Sequence, residues 1–295
     1  MPEITATQFM TDNLSLWLEG HSITEIIITH TANQSRIALN SFPLPSPICR
    51  QVWRRGKHSV VPIGDGALVL SYNLSGKVLR SATPELDITG ALSTRVAFKL
   101  SDGGYVLWKD RINLGELRWF PKRGTEDTLI HQFFEQDKKL GPEFWPMHRD
   151  GTWWKAVAGQ SKQRLLTVLM DQKVVAGIGN IIALESLHRV KLPLSTKADS
   201  LSDSQWAALS KAIRTVVAAS LEQHARLRQK GQLGLDNSRH LRGDLKLVAE
   251  GHTEAKGFLI YGRAGATCPS CGSGTIQKGK IAGRPTYWCD ACQAE

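Results

Sequence analysis

Membrane spans, clear repeats and low-complexity tracts are all missing from this 295-residue sequence. Without an apolar run of span length, a helical membrane protein is excluded. Without a repeat or a biased tract, solenoids and disordered linkers are excluded as its main content. Cysteine is scarce: five residues, one of them (Cys49) far from the rest. With no secretory leader to be read at the start, a reducing, cytoplasmic setting is expected, and thiols rather than a disulfide framework. Acidic residues are in deficit as well, 27 against 37 Lys and Arg, for a formal charge of +10. The deficit is uneven. Residues 1–150 carry 17 basic against 16 acidic side chains, and residues 151–295 carry 20 against 11. A second half that basic predicts an anionic partner, nucleic acid first, because neutralised phosphates supply salt-dependent affinity.

The patterns that are present divide the chain. Phe9, Leu14, Leu16 and Trp17 recur at roughly helical spacing in "TQFMTDNLSLWLEG", with Gly20 as a stop. Runs rich in β-branched and aromatic residues follow ("ITEIIITH", "SVVPI", "ALVLSYNL", "RVAFKLSDGGYVLWKD", "LGELRWF"). They predict an antiparallel β-sandwich or barrel behind one helix, an α+β domain over residues 1–135. Residues 136–152, polar and carrying Pro142 and Pro146, read as a connection. Amphipathic helical segments fill 153–256, the longest opening on a Ser202/Gln205 capping box. Residues 231–256 read as a Gly-rich loop, and "GFLIYGR" as a strand leading into a last module, 257–295.

That module carries Cys268, Cys271, Cys289 and Cys292 in the spacing Cys-x2-Cys-x17-Cys-x2-Cys. It reads as one zinc ion held by four thiolates. Four protein ligands leave no open position for water, so the metal is expected to be structural. Between two helical segments lies "GIGN", residues 177–180. Two glycines allow a sharp turn and close backbone approach, and Asn180 is expected to cap the next helix, whose free N–H groups suit a phosphate. A dinucleotide fingerprint needs a parallel βαβ setting, which the surroundings lack.

Taken in order, "MPE", "RRGKH" (54–58), "LGPEFW" (140–145), "DQKVVAGIGNI" (171–181), "YGRAG" (261–265) and the cysteine module closely resemble the formamidopyrimidine-DNA glycosylase and endonuclease VIII family. The resemblance spans nearly the whole chain and is thinnest between residues 4 and 50. It implies an N-terminal helix and β-sandwich, then a helix–two-turn–helix domain ending in a zinc-finger hairpin. It also implies a monomeric DNA glycosylase with abasic-site lyase activity, acting on damaged, oxidised bases in duplex DNA.

On that resemblance, Pro2 would be the nucleophile once Met1 is removed, and Glu3 the adjacent acid/base group. Lys57 would approach the lesion nucleotide, and Arg284 at the hairpin tip would grip the flanking phosphates. Asn180, Arg95 and Lys162 lie near DNA-contact positions. Leu74 and Leu114 fall where the family places the side chains that fill the gap left by an extruded base. The chain departs from the family at Ile112 and Asn113, where arginines are usual. An isoleucine cannot donate hydrogen bonds to an orphaned cytosine. No second N-terminal glutamate follows Glu3. The hairpin "RPTYWC" resembles the endonuclease VIII branch, whereas the Gly-Asn turn and "YGRAG" resemble the other. Two other readings stand beside the enzyme: a relative that binds damaged DNA without excising bases, and a zinc-ribbon protein of transcription or the ribosome, which would leave the N-terminus unexplained.

Overall fold

The computed structural model describes residues 2–29, 32–84, 94–121, 128–147, 149–229 and 258–294. The expected loop at 231–256 lies outside them. Two compact units part between Lys139 and Leu140.

The first unit opens on helix α1 (Ile4–Leu18). Its buried stripe is Ile4, Thr7, Met10, Leu14 and Leu18, a 3–4 residue spacing, whereas Leu16 points outward, 68% exposed. Gly20, at φ +82°, ends it as expected. Among the described residues nine strands follow: β1 (Ile23–Ile28), β2 (Ile37–Ala38), β3 (Trp53–Arg55), β4 (His58–Ile63), β5 (Gly66–Ser71), β6 (Gly76–Ser81), β7 (Thr94–Leu100), β8 (Tyr105–Asp110) and β9 (Glu116–Phe120). They form a four-stranded sheet, β1-β7-β8-β6, and a five-stranded one, β2-β9-β5-β4-β3. Every pairing is antiparallel except the short β2–β9 contact. Tyr72, just past β5, stacks on Trp108 of β8 at 5.5 Å, joining the cores of the two sheets. A buried hydroxyl chain ties α1 to the larger sheet: Thr11 to Ser59 at 2.6 Å, and Ser59 to the Tyr72 hydroxyl at 2.7 Å.

In the second unit the stretch expected as a free connection is partly held. The Gly141 N–H donates to the Gln172 carbonyl and the Ala176 N–H to that of Pro142. A Cβ on Gly141 would stand 2.5 Å from two carbonyl oxygens, so "LGP" packs flat on the 172–176 turn. After α2 (Thr128–Gln132), which belongs to the first unit, come helices α3 (Gly151–Ala158), α4 (Leu165–Met170), α5 (Asn180–Arg189) and α6 (Asp203–Gln229). The capping box forms as expected, with the Ser202 N–H on Gln205 Oε1 at 2.8 Å and the Gln205 N–H on Ser202 Oγ at 3.2 Å. Strands β10 (Ile276–Ile281) and β11 (Arg284–Cys289) make the closing hairpin.

The segment 258–263 is not the strand its β-branched and aromatic residues suggest. Leu259, Ile260 and Tyr261 all turn their N–H groups onto the carboxylate of Glu185 on α5, at 2.8–2.9 Å. Successive N–H groups of a strand point to opposite sides, so three on one carboxylate require a turn. Glu185 is fully buried, and its charge is met by those donors. Glu185→Ala is expected to cost about 3 kcal/mol, since three charge-assisted donors lose their acceptor. Chemical denaturation of the full chain, followed by a probe on the second unit, would measure it.

Candidate nucleic-acid and catalytic site

In the first unit Pro2 and Glu3 are buried immediately ahead of α1, and Glu3 is its N-cap residue. Lys57 sits half-buried in the turn joining β3 to β4, beside Gly56 at φ +55°. One side chain braces the two. Arg54 donates from Nε to Gln8 Oε1 on α1 and from a terminal nitrogen to the Gly56 carbonyl, each at 2.9 Å. Its planar fork holds the lysine-bearing turn to the helix that begins behind Pro2. Sequence reading quoted Arg54 within "RRGKH" and missed this function, because its partner lies 46 residues away.

His58 follows. Its Nδ1 lies 2.7 Å from Ser71 Oγ, and its ring packs against Phe133 and Phe134. Burial pushes its pKa down to about 3, helped by the charges of Lys138, Lys57 and Arg55. A folded-state value below the unfolded one, near 6.5, gives stability that is present above pH 6.5 and lost as pH falls towards 3. Thermal melts between pH 7 and pH 4 should therefore show the first unit losing about 3 kcal/mol through this group. In His58→Gln that part of the slope should vanish.

Two loops stand together at one end of the smaller sheet. Leu74 is 47% and Ile112 40% exposed. Asp110, buried, holds both loops: its carboxylate accepts from the Ser75 hydroxyl and from the N–H groups of Ile112 (3.3 Å) and Gly115 (2.6 Å). The Asn73 amide donates across to the Leu114 carbonyl, which also accepts from Arg36 at 3.2 Å. Leu114, expected as a gap-filling side chain, is only half exposed, and Ile112 is the more open residue of its loop. Nothing in the local sequence ranks the two. The Asp110 carboxylate decides by fixing the turn.

Arg95, expected near DNA, lies at the base of this loop pair. It is 7% exposed, and its guanidinium donates to the carbonyls of Asp110 (2.8 Å) and Arg111 (3.3 Å). It shapes the same loop pair from inside the fold, with two of its five donors turned onto these backbone carbonyls.

In the second unit the Gly-Asn turn is stapled by Gln172. Its amide donates to the carbonyls of Met170 (2.9 Å) and Ile178 (2.7 Å) and accepts from the Gly177 N–H (2.9 Å). Gly177 has φ +109°, which favours glycine there. Asn180 was expected to cap α5, but Gly179 occupies that position and Asn180 is the first helical residue. Being inside the helix, its amide is free to reach outward, and Nδ2 donates to the Pro285 carbonyl at 2.7 Å. Pro285 follows Arg284, which is exposed at the start of β11 behind a tight turn, Ala282 and Gly283 at φ +48° and +74°. Asn180 thus sets the hairpin tip that carries Arg284. Lys162 is exposed on the segment leading into α4.

At the other end of the hairpin the sulfurs of Cys268, Cys271, Cys289 and Cys292 lie within 4.8 Å of one another, with two pairs at 3.9 and 3.8 Å. A tetrahedral ion with Zn–S bonds of about 2.3 Å would set sulfurs about 3.8 Å apart. Backbone N–H groups of Ser270, Gly274 and Cys292 point at three of the sulfurs, at 3.3–3.4 Å, as suits thiolate ligands. The donor set fits zinc. Burial and the adjoining thiols push Cys292 up to about 12, whereas backbone donors pull Cys271 down to about 6. Four such close sulfurs can all be thiolates only around a cation. Gln293, buried, then ties the module to α5. Its Oε1 lies 3.1 Å from His188 Nδ1 and accepts from the Cys289 N–H, and its Nε2 donates to the Leu192 carbonyl.

The family described as the formamidopyrimidine-DNA glycosylase H2TH domain matches residues 140–230. A formamidopyrimidine-DNA glycosylase of Heliobacterium modesticaldum is 28% identical over 305 residues, covering 99% of this chain and 100% of the relative. Another from Xanthomonas campestris is 29% identical, at the same coverage. Among solved structures, MutM in complex with carbocyclic 8-oxo-G containing DNA has a TM-score of 0.76 at 25% identity and covers all of both chains. Lactococcus lactis Fpg bound non-covalently to abasic-site DNA has a TM-score of 0.75 at 22% identity, over 99% of this chain and 100% of that one, and speaks for the fold alone.

Proposed function

The chain belongs to the formamidopyrimidine-DNA glycosylase and endonuclease VIII family of base-excision DNA glycosylases, and from that premise we propose that it is bifunctional, removing a damaged base from duplex DNA and then cutting the abasic strand. The observation that carries this reading is the placement of Pro2 and Glu3 at the head of α1, with the Lys57 turn braced to that same helix by Arg54. A binder without chemistry needs no such constellation.

Removal of Met1 would leave Pro2 with a secondary α-amine that titrates near pH 8 and is partly unprotonated at neutral pH. Its lone pair attacks C1′ of the deoxyribose, the N-glycosyl bond breaks, and the base leaves with the proton the amine gives up. The C1′–O4′ bond then breaks, O4′ takes a proton and the sugar ring opens, leaving an iminium that carries its positive charge without needing a proton of its own. It acidifies the C2′ hydrogen, and removal of that hydrogen expels the 3′ phosphate. Glu3 is the group placed to shuttle these protons, and Lys57 the cation placed to meet the nucleotide.

The second unit supplies affinity. Arg284 offers the bidentate fork suited to phosphate, on a hairpin held by Asn180 at one end and by a four-thiolate zinc ion at the other. When bound, the metal contributes structure only, since all four positions are protein sulfur. Lys162 adds a salt-dependent phosphate contact. The target base must leave the stack, and Leu74 with Ile112 are the open apolar side chains to occupy its place.

Excision from duplexes that each carry one defined lesion opposite all four bases tests the glycosylase reading. An apolar Ile112 predicts less than ten-fold spread across the opposing bases, while Ile112→Arg should widen it in favour of cytosine. Asn180→Ala should weaken binding to an abasic duplex by roughly ten-fold without altering zinc content, because only the hairpin tip is released.

A further inference from the structure

Apart from Arg284 at its tip, one face of the closing hairpin carries side chains that have no part in this chemistry. The β10–β11 register pairs Gln277 with Trp288, Gly279 with Thr286 and Ile281 with Arg284. Directly paired residues share a face, so Gly279, Ile281, Thr286 and Trp288 look the same way. Tyr287, on the opposite face, packs against Tyr261. Against the first face lies a groove of about 530 Å³, closed by Arg164 ahead of α4, by Leu194 and Ser195 beyond α5, and by Asp290 past the end of β11. That size falls within the range of small-molecule sites.

Its chemistry is mixed in an ordered way. Trp288 is half-exposed and offers its indole. Glycine at 279 keeps that surface open, since a Cβ there would come within 3.1 Å of the indole ring. Ile281 and Leu194 extend the apolar wall. Arg164 is exposed and brings a guanidinium. Asp290 is oriented by the Thr275 N–H and the Gln277 amide, both at 2.9 Å, and its carboxylate is an acceptor on the groove's edge. At the floor the Thr286 hydroxyl, in a residue 1% exposed, has no hydrogen-bond partner among the described residues.

We propose that this groove is a second nucleotide site. A base lies along the Trp288 indole with an N–H edge on Asp290, and its phosphate is held by Arg164. An inorganic anion alone would leave the aromatic and apolar walls unused, and an uncharged aromatic would leave the guanidinium unused. Stacking on an aromatic side chain tolerates any base, so discrimination among bases is expected to be modest.

Equilibrium dialysis of the full-length, zinc-loaded protein tests the assignment, with dGMP, dTMP, ribose 5-phosphate, inorganic phosphate and a thymidine trinucleotide as probes. The mononucleotides should bind at least ten-fold more tightly than ribose 5-phosphate or phosphate. Gly279→Val, which fills the groove, and Arg164→Ala, which removes the phosphate partner, should each weaken them at least ten-fold, with zinc content unchanged. Should the valine variant lose zinc, the exposed Arg164→Ala decides alone. Binding of the trinucleotide without the mononucleotides would assign the same groove to a nucleotide within a strand. Ribose 5-phosphate binding as tightly as dTMP, nucleotide binding that survives both substitutions, or no binding by mononucleotide and trinucleotide alike would overturn the proposal.

Discussion

Borohydride added to the protein on a duplex with one abasic site should give a covalent adduct whose attachment maps to Pro2. Reduction of an iminium leaves a stable amine, so the adduct reports the intermediate itself and not mere affinity. Pro2→Gly keeps an α-amine but makes it primary and removes the ring, and trapping should fall steeply with base excision. A preparation that retains Met1 should give none, because the nitrogen of Pro2 is then an amide whose lone pair is delocalised into the carbonyl. Glu3→Gln should separate the steps: the amine survives while the proton shuttle is gone, so excision should slow by about 10²–10⁴. Abasic-duplex affinity, measured alongside, should change little in all three. If Pro2→Gly traps as efficiently as the parent, the amine assignment fails, and with it the reading as a lyase.

Loss of zinc should have the second large effect, and of a different kind. The hairpin's own apolar core is small: of its strand residues only Ile276, Thr286, Tyr287 and Cys289 are buried. Binding of a structural zinc ion is worth on the order of 10–16 kcal/mol in small zinc modules, so its removal should unfold the hairpin outright. Arg284 would go with it, and abasic-duplex affinity should collapse. The first unit draws its core from α1 and the two sheets, and its melting should persist in chelator. Cys271→Ser and Cys289→Ser should reproduce the chelated state without added reagent. Unchanged affinity after verified metal removal would refute the structural assignment of the ion.

Local chemistry was readable from the chain. The cysteine spacing places four sulfurs around one point, Ser202 and Gln205 form their reciprocal cap, and Gly20 stops α1 where a left-handed residue is needed. Each of these patterns is complete within a few residues or within one hairpin, so it carries its geometry with it. The family resemblance extended that reach to Pro2, Glu3 and Lys57, whose residue types alone are commonplace.

Partners far apart in sequence were not readable. "GFLIYGR" has strand composition, yet Glu185, 74–76 residues earlier, draws its N–H groups into a turn. Arg95 reads as a basic side chain near DNA, yet its donors close on carbonyls 15 and 16 residues on. Asn180 has the composition of a cap, yet its amide reaches Pro285, 105 residues away. In each case the residue type states what bond a side chain can make, and packing states with whom. Residue spacing within one segment determines the metal cluster, the caps and the turns, because their energies are local. Which loop shows Ile112 outward, and which carbonyl holds the hairpin tip, were decided only when distant segments were packed together, because a buried donor or acceptor takes whatever partner that packing brings within reach.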